Sequence, residues 1–128
     1  MPERDRYIAG VPCWVDTSQP DPEASLDFYR GLFGWEFENV MPPGSQGKYF
    51  LARLRGGEVG AVASIPESAP PVATWDTYIW VDDADALHAE LKARGVKIVR
   101  DIGDRHYGCR DFDIEDCNGY RICFGRVL

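Results

Sequence analysis

Histidine is scarce in this sequence, with two among 128 residues, and its four cysteines, Cys13, Cys109, Cys117 and Cys123, include no C-x-x-C pair. Zinc sites usually draw on close pairs of such ligands, so none is expected, and the cysteines read as reduced thiols. No apolar run reaches the roughly 20 residues that span a bilayer, which argues against a membrane partner. The N-terminal MPERDRYIAG is charged and lacks an apolar core ahead of a cleavage site. No secretory signal is therefore expected, and the cytoplasm is the expected location. Basic residues are outnumbered, 14 against 21, for a formal charge of -7. That balance repels a phosphate backbone and argues against nucleic acid as a partner. The glycines at 44, 47, 56 and 57 match no phosphate-binding spacing, and no Ser/His/Asp constellation can be assembled.

What is present suits one domain, residues 1–128, able to bury roughly two-thirds of the surface its unfolded form exposes. A hydrophobic content of 45% with 12% aromatics argues against disorder. The most legible stretch is RDFDIEDCNGYRICFG, residues 110–125. Phe112 and Ile114 in one arm, and Tyr120, Ile122 and Phe124 in the other, flank Asp116-Cys117-Asn118-Gly119. Asn and Gly there supply the positive φ of a tight turn, so the stretch reads as a β-hairpin. Ile122 and Phe124 should then share one face, with Arg121 and Cys123 on the other. Asp111, Asp113 and Glu115 also share a face and, as like charges in a row, read as solvated.

Upstream, residues 7–16 read as a strand with Val11, Cys13 and Val15 toward a helix and Trp14 on the opposite face, and residues 17–20 as loop. Asp21 stands where an N-cap belongs, with Pro22 at the first helical position. Leu26, Phe28, Tyr29, Leu32 and Phe33 form an apolar stripe, and Gly34 ends the helix. Strands follow over 35–40, 48–54 and 59–65, the last two joined by a Gly56-Gly57 turn. Residues 66–72 hold three prolines and read as a linker. Then come a strand over 75–81, a helix capped by Asp82 or Asp83 and closed by Gly95, and strands over 96–101, 106–115 and 120–125.

Both halves therefore read β-α-β-β-β. A shift of 61 places carries Asp21 onto Asp82, Leu26 onto Leu87 and Gly34 onto Gly95, which predicts a duplication. The expected fold is α+β, with modules over 5–65 and 73–128. A helix on one face of each sheet leaves the other face free, and two such mixed sheets side by side would form a concave cleft.

This duplication, with DFYRGLFGWEFE in the first half and WDTYIWVDDADALHAELKARGVKIVRD and DIEDCNGYRICFG in the second, resembles the vicinal oxygen chelate superfamily. Its members include glyoxalase I, bleomycin-resistance proteins, fosfomycin-resistance enzymes and extradiol dioxygenases. The resemblance implies a divalent metal held by first and last strands of the two modules. Its ligand positions fall on Gly10, Asp76, Val62 and Cys123. Gly10 and Val62 cannot ligate through a side chain, and Asp76 with Cys123 is short of the usual three protein ligands. A protein without metal or other cofactor is therefore expected. A homodimer is also implied by the resemblance.

By strand parity the cleft-facing residues are Trp14, Asp76, Tyr78, Trp80, Arg121 and Cys123, with His106 at the rim. Aromatic rings offer stacking walls, Asp76 an anchor for a cation, and Arg121 a clamp for a carboxylate. His88 reads as a solvated helix residue. The expected function is binding of a small organic ligand. The alternative is a glyoxalase-like lyase or an extradiol-type dioxygenase with a divalent transition metal on Asp76, Cys123 and His106. A third reading is an interaction module whose cleft is filled by its own side chains.

Overall fold

Each helix begins where a carboxylate can accept from an exposed backbone N–H. Asp21 takes the Ala24 N–H at 3.1 Å, Pro22 follows, and α1 (Pro22–Phe33) ends at Gly34, whose φ of 71° lets its N–H turn back to Arg30. Asp83, rather than Asp82, caps α2 (Ala84–Ala93), accepting from Ala86 N at 2.9 Å. These side chains satisfy donors that the helix itself leaves unpaired. The computed structural model describes residues 5–67 and 69–128. Residues 1–4 of the N-terminal stretch, and Ser68 of the proline linker, lie outside the described residues.

The strands are β1 (Pro12–Gln19), β2 (Glu36–Asn39), β3 (Tyr49–Leu54), β4 (Gly57–Ser64), β5 (Thr74–Trp80), β6 (Ile98–Asp104), β7 (Cys109–Glu115) and β8 (Arg121–Val127). The chain forms two compact units, Trp14–Asp76 and, together with the residues through Cys13, Thr77–Leu128. They are called the first and second units below. In the first, the strand order is β2-β3-β4-β1, with β1 parallel to β4 and the other pairings antiparallel. In the second, it is β6-β7-β8-β5, with β5 parallel to β8. The two arrangements are the same, as a duplicated β-α-β-β-β module requires.

Several boundaries differ from the sequence reading. β1 starts at Pro12 and runs to Gln19, so Thr17, Ser18 and Gln19 are strand rather than loop. Thr17 is fully buried and donates to Thr74 O at 2.7 Å, a hydroxyl satisfied inside the sheet. The turn before β4 is Arg55-Gly56, with φ of 53° and 79°, rather than Gly56-Gly57. Positive φ at both central positions makes this a type I′ loop, and the pairing of Leu54 with Gly57 fixes it on Arg55-Gly56. β7 starts at Cys109, because residues 105–108 make the turn.

The helix-covered face of the first unit is marked by the Arg30 guanidinium, 5.9 Å from the Phe37 ring centroid. Through the register, Ala52, Val62 and Thr17 share that face, and all are buried. Only Leu26 of the α1 stripe joins them as a buried apolar side chain; Phe28, Leu32 and Phe33 are exposed. At about 100° per residue, Phe28 and Leu32 stand roughly 200° and 240° around from Leu26, beyond the reach of the sheet. Aromatic rings pack instead on one another, with Tyr29 5.6 Å from Trp35 and 5.7 Å from Trp75. Among the described residues no helix is long and apolar enough to cross a membrane.

Candidate functional site

In the second unit, Phe112 faces α2, its ring 5.1 Å from that of His88. Register pairs Phe112 with Phe124 and Ile114 with Ile122 on this face. The opposite face carries the partners Asp113 and Cys123, Tyr78 and Cys123, and Trp80 and Gly125. Arg121 stands on it as well, so four of the expected residues, Tyr78, Trp80, Arg121 and Cys123, share one surface.

That surface is a charge lattice. Asp111 and Asp113 are each 2% exposed, not solvated as their spacing suggested. Asp111 accepts from Arg105 Nε at 2.6 Å, Arg100 Nη2 at 2.9 Å and the Tyr107 hydroxyl at 2.7 Å. Asp113 accepts from Arg100 Nη2 at 3.1 Å and Arg121 Nε at 2.8 Å. Arg100 Nε lies 3.0 Å from the same carboxylate but off the hydrogen-bond line. Buried carboxylates are tolerated when paired and hydrogen-bonded in this way. Gly125 makes room for the arrangement, since a Cβ there would lie 2.7 Å from Asp111 Cβ. Sequence reasoning missed Arg100, Arg105, Tyr107 and both aspartates. The available signal was Arg100 on the neighbouring strand, which could have been set against the acidic row.

Cys123 sits in this lattice, 3% exposed, with its sulfur 3.8 Å from Arg100 Nη2. Burial pushes its thiol far above the ordinary range, and the Asp113 carboxylate adds to the effect. Tyr107 is likewise raised, by burial and then by its bond to Asp111. Neither ionises in the folded protein near neutrality, so Cys123 is not an activated nucleophile. Below the ordinary thiol pKa both folded and unfolded chains keep the Cys123 proton. Above it only the unfolded chain releases the proton, so stability should fall as pH rises beyond about 9. Urea midpoints measured from pH 7 to 10 should show this fall, and Cys123→Ala should make it shallower.

A second feature lies at the end of β5. Tyr7 stacks on Trp80 with ring centroids 4.1 Å apart and planes 8° apart. Tyr7 also lines a groove of about 360 Å³, together with Asp5, Arg6, Ile8, Val11 and Cys13. Small-molecule sites start at roughly 300 Å³. Cys13 donates to Tyr78 O at 3.4 Å, and burial raises its thiol too.

The other expected residues lie elsewhere. In the first unit, Trp14 Nε1 donates to the Tyr49 hydroxyl at 3.0 Å, which donates to buried Asp16 at 3.0 Å. Asp76 accepts from Thr74 Oγ1 at 3.4 Å. His106 does not open a strand; it is exposed in the turn after β6, against Tyr107. His88 is not a solvated residue: its side chain is 13% exposed, and Nε2 lies 2.8 Å from Asp101.

The profile of the Glyoxalase/Bleomycin resistance protein/Dioxygenase superfamily matches residues 14–124. The chain belongs to this superfamily. CFP32 of Mycobacterium bovis, provisionally named a glyoxylase, is 40% identical over 111 residues, 81% of this chain and 42% of CFP32. The anthracycline biosynthesis protein DnrV of Streptomyces peucetius is 36% identical over 107 residues, 73% of this chain and 38% of DnrV. The chain thus spans about two-fifths of the length of these relatives. Streptomyces coelicolor methylmalonyl-CoA epimerase superposes with a TM-score of 0.68 over 92% of this chain and 94% of its own, at 16% identity, a likeness of fold.

The residues present do not fit the metal that superfamily resemblance implies. At the last-strand position Cys123 is 3% exposed, and the carboxylates beside it are engaged by arginines. Gly10 lies in a turn, and Val62 is on the helix side; its neighbour Ala61, paired with Asp16, faces the other way. Among the described residues no three His, Cys, Asp or Glu side chains are gathered to hold a metal ion.

Proposed function

We propose that the chain binds a small planar organic molecule on the helix-free face of the second unit, without a metal, its dimeric state being carried over from family resemblance alone. The observation that carries this reading is the groove of about 360 Å³ lined by the Tyr7 ring, which stacks on Trp80. A flat aromatic surface next to a recess with apolar walls at Ile8 and Val11 and charged ones at Asp5 and Arg6 suits stacking of a conjugated ring system that carries polar substituents. The name of DnrV, an anthracycline biosynthesis protein, gives the same class of molecule as the first to try. The lattice around Asp111 and Asp113 ties β6, β7 and β8 together on the same face.

The test is a thermal-shift panel of planar polycyclic aromatics, anthracyclines among them, run with and without EDTA. A ligand at a hundred times its dissociation constant should stabilise the chain by about 2.7 kcal/mol. For a domain of this size that corresponds to a rise of roughly 10 °C. The rise should be saturable and indifferent to EDTA. A silent panel, a rise abolished by EDTA, or near-stoichiometric metal in elemental analysis would each sink the proposal.

A further inference from the structure

We infer that the Tyr7 ring is a placeholder on Trp80, occupying a shelf that takes a planar aromatic ring of a ligand and swinging off it about Gly10 when that ligand binds. The inference rests on reading the chain as a binder of planar organic molecules. Its basis is the contrast between a fixed ring and a loosely tied one.

Trp80 is fixed from three directions. Its Nε1 donates to Asp82 Oδ1 at 3.1 Å, its backbone N–H donates to Val11 O at 3.1 Å, and its carbonyl accepts from Gly10 N at 2.9 Å. The shelf therefore belongs to β5 whatever lies on it. Tyr7 stands outside any strand or helix and leaves 57% of its surface to water. It reaches β1 through a turn in which Val11 N–H donates to Ile8 O at 3.1 Å and Gly10 has a φ of 79°. Glycine takes that conformation without strain and can leave it as easily, so the turn is a natural pivot.

The rings lie 4.1 Å and 8° apart, close to the face-to-face separation that a flat ligand on Trp80 would adopt. Tyr7 thus shows what the shelf accepts: a planar aromatic ring. A ligand of that class regains the stack that Tyr7 gives up and adds contact with the groove walls beyond the pivot, at Val11 and Cys13. While the shelf is covered, apparent affinity is reduced by the fraction of molecules in which it is open.

The experiment titrates the full chain and its Tyr7→Ala variant with 2-naphthol by calorimetry, using decahydro-2-naphthol as a control of the same carbon frame without a flat face. Removing the competing stack should tighten 2-naphthol binding about fivefold, within a span of roughly 2- to 10-fold set by the strength of aromatic pairs. The saturated control should not bind. Trp80→Ala added to Tyr7→Ala should abolish the binding. Trp80→Phe, which keeps a ring, should retain part of it and serves if the alanine variant does not fold. Unchanged affinity in Tyr7→Ala would overturn the inference, and so would weaker binding, which would make Tyr7 a wall of the site. Absence of any binding to Tyr7→Ala would overturn it too. If the thermal-shift panel responds while Tyr7→Ala shows no gain, the inference alone fails. If the panel is silent and 2-naphthol binds neither protein, the wider reading fails with it.

Discussion

Replacing Phe112 with alanine should cost about 3–5 kcal/mol, a large part of the 5–15 kcal/mol that holds a typical domain together. The side chain is fully buried, packed 5.7 Å from the Phe124 ring and 5.1 Å from that of His88. Its removal leaves a cavity at the point where α2 meets β7 and β8. The loss has two parts, the transfer free energy of the ring and the contacts its lining cannot regain. Urea denaturation followed by circular dichroism should show a lower midpoint. Phe112→Leu, which refills most of the space, should recover more than half of the difference. If Phe112→Ala moved the midpoint by less than the equivalent of about 1 kcal/mol, the placement of the core between α2 and the sheet would be wrong.

The second large effect is electrostatic. Asp111→Ala should destabilise the chain by about 3 kcal/mol, because Arg105, Arg100 and the Tyr107 hydroxyl all lose an acceptor that is itself 2% exposed. Removing one member of a buried ionic group leaves the others uncompensated, whereas removing partners together relieves that cost. The two guanidiniums are partly exposed, at 32% for Arg100 and 22% for Arg105, so water recovers some of the loss and sets the value at the low end. A double-mutant cycle separates this account from simple loss of packing. Arg105→Ala should cost clearly less in the Asp111→Ala background than alone, with a coupling of about 1–3 kcal/mol. Additive costs would show that the two side chains act independently.

The lattice also shows which physical facts are legible along a sequence and which are not. The Asp21 cap and the Asp116 turn were legible because they depend on neighbours: Asp21 with Ala24, and Asp116, whose carboxylate accepts from Asn118 and Tyr120 N–H groups at 2.9 Å. The alternation that sets Cys123 opposite Ile122 and Phe124 was equally local, and the register confirms it. The state of Asp111 and Asp113 was not legible from their own strand, where three acidic residues in alternation look like a wet edge. Their burial depends on Arg100, Arg105 and Arg121, which arrive from β6, the following turn and β8. His88 was misread for the same reason, since Phe112 and Asp101 reach it from two different strands. The stripe on α1 misleads differently: Phe28 and Leu32 are apolar but stand too far around the helix from Leu26 to face the sheet.

The parallel pairing within each unit has a kinetic consequence. Asp16 pairs with Ala61 and Thr77 with Ile122, so each pairing closes a loop of about 45 residues. The antiparallel hairpins β3–β4 and β7–β8 can form from local contacts in microseconds. Docking of β1 or β5 must instead wait for the ends of a long segment to meet, at an entropic cost that nothing repays until the strand is seated. Until then the free edge of β4 or β8 is unpaired, a template for any other extended chain nearby. Slow closure of the first strand in each module is therefore the stage at which a crowded cell could divert the chain into aggregates.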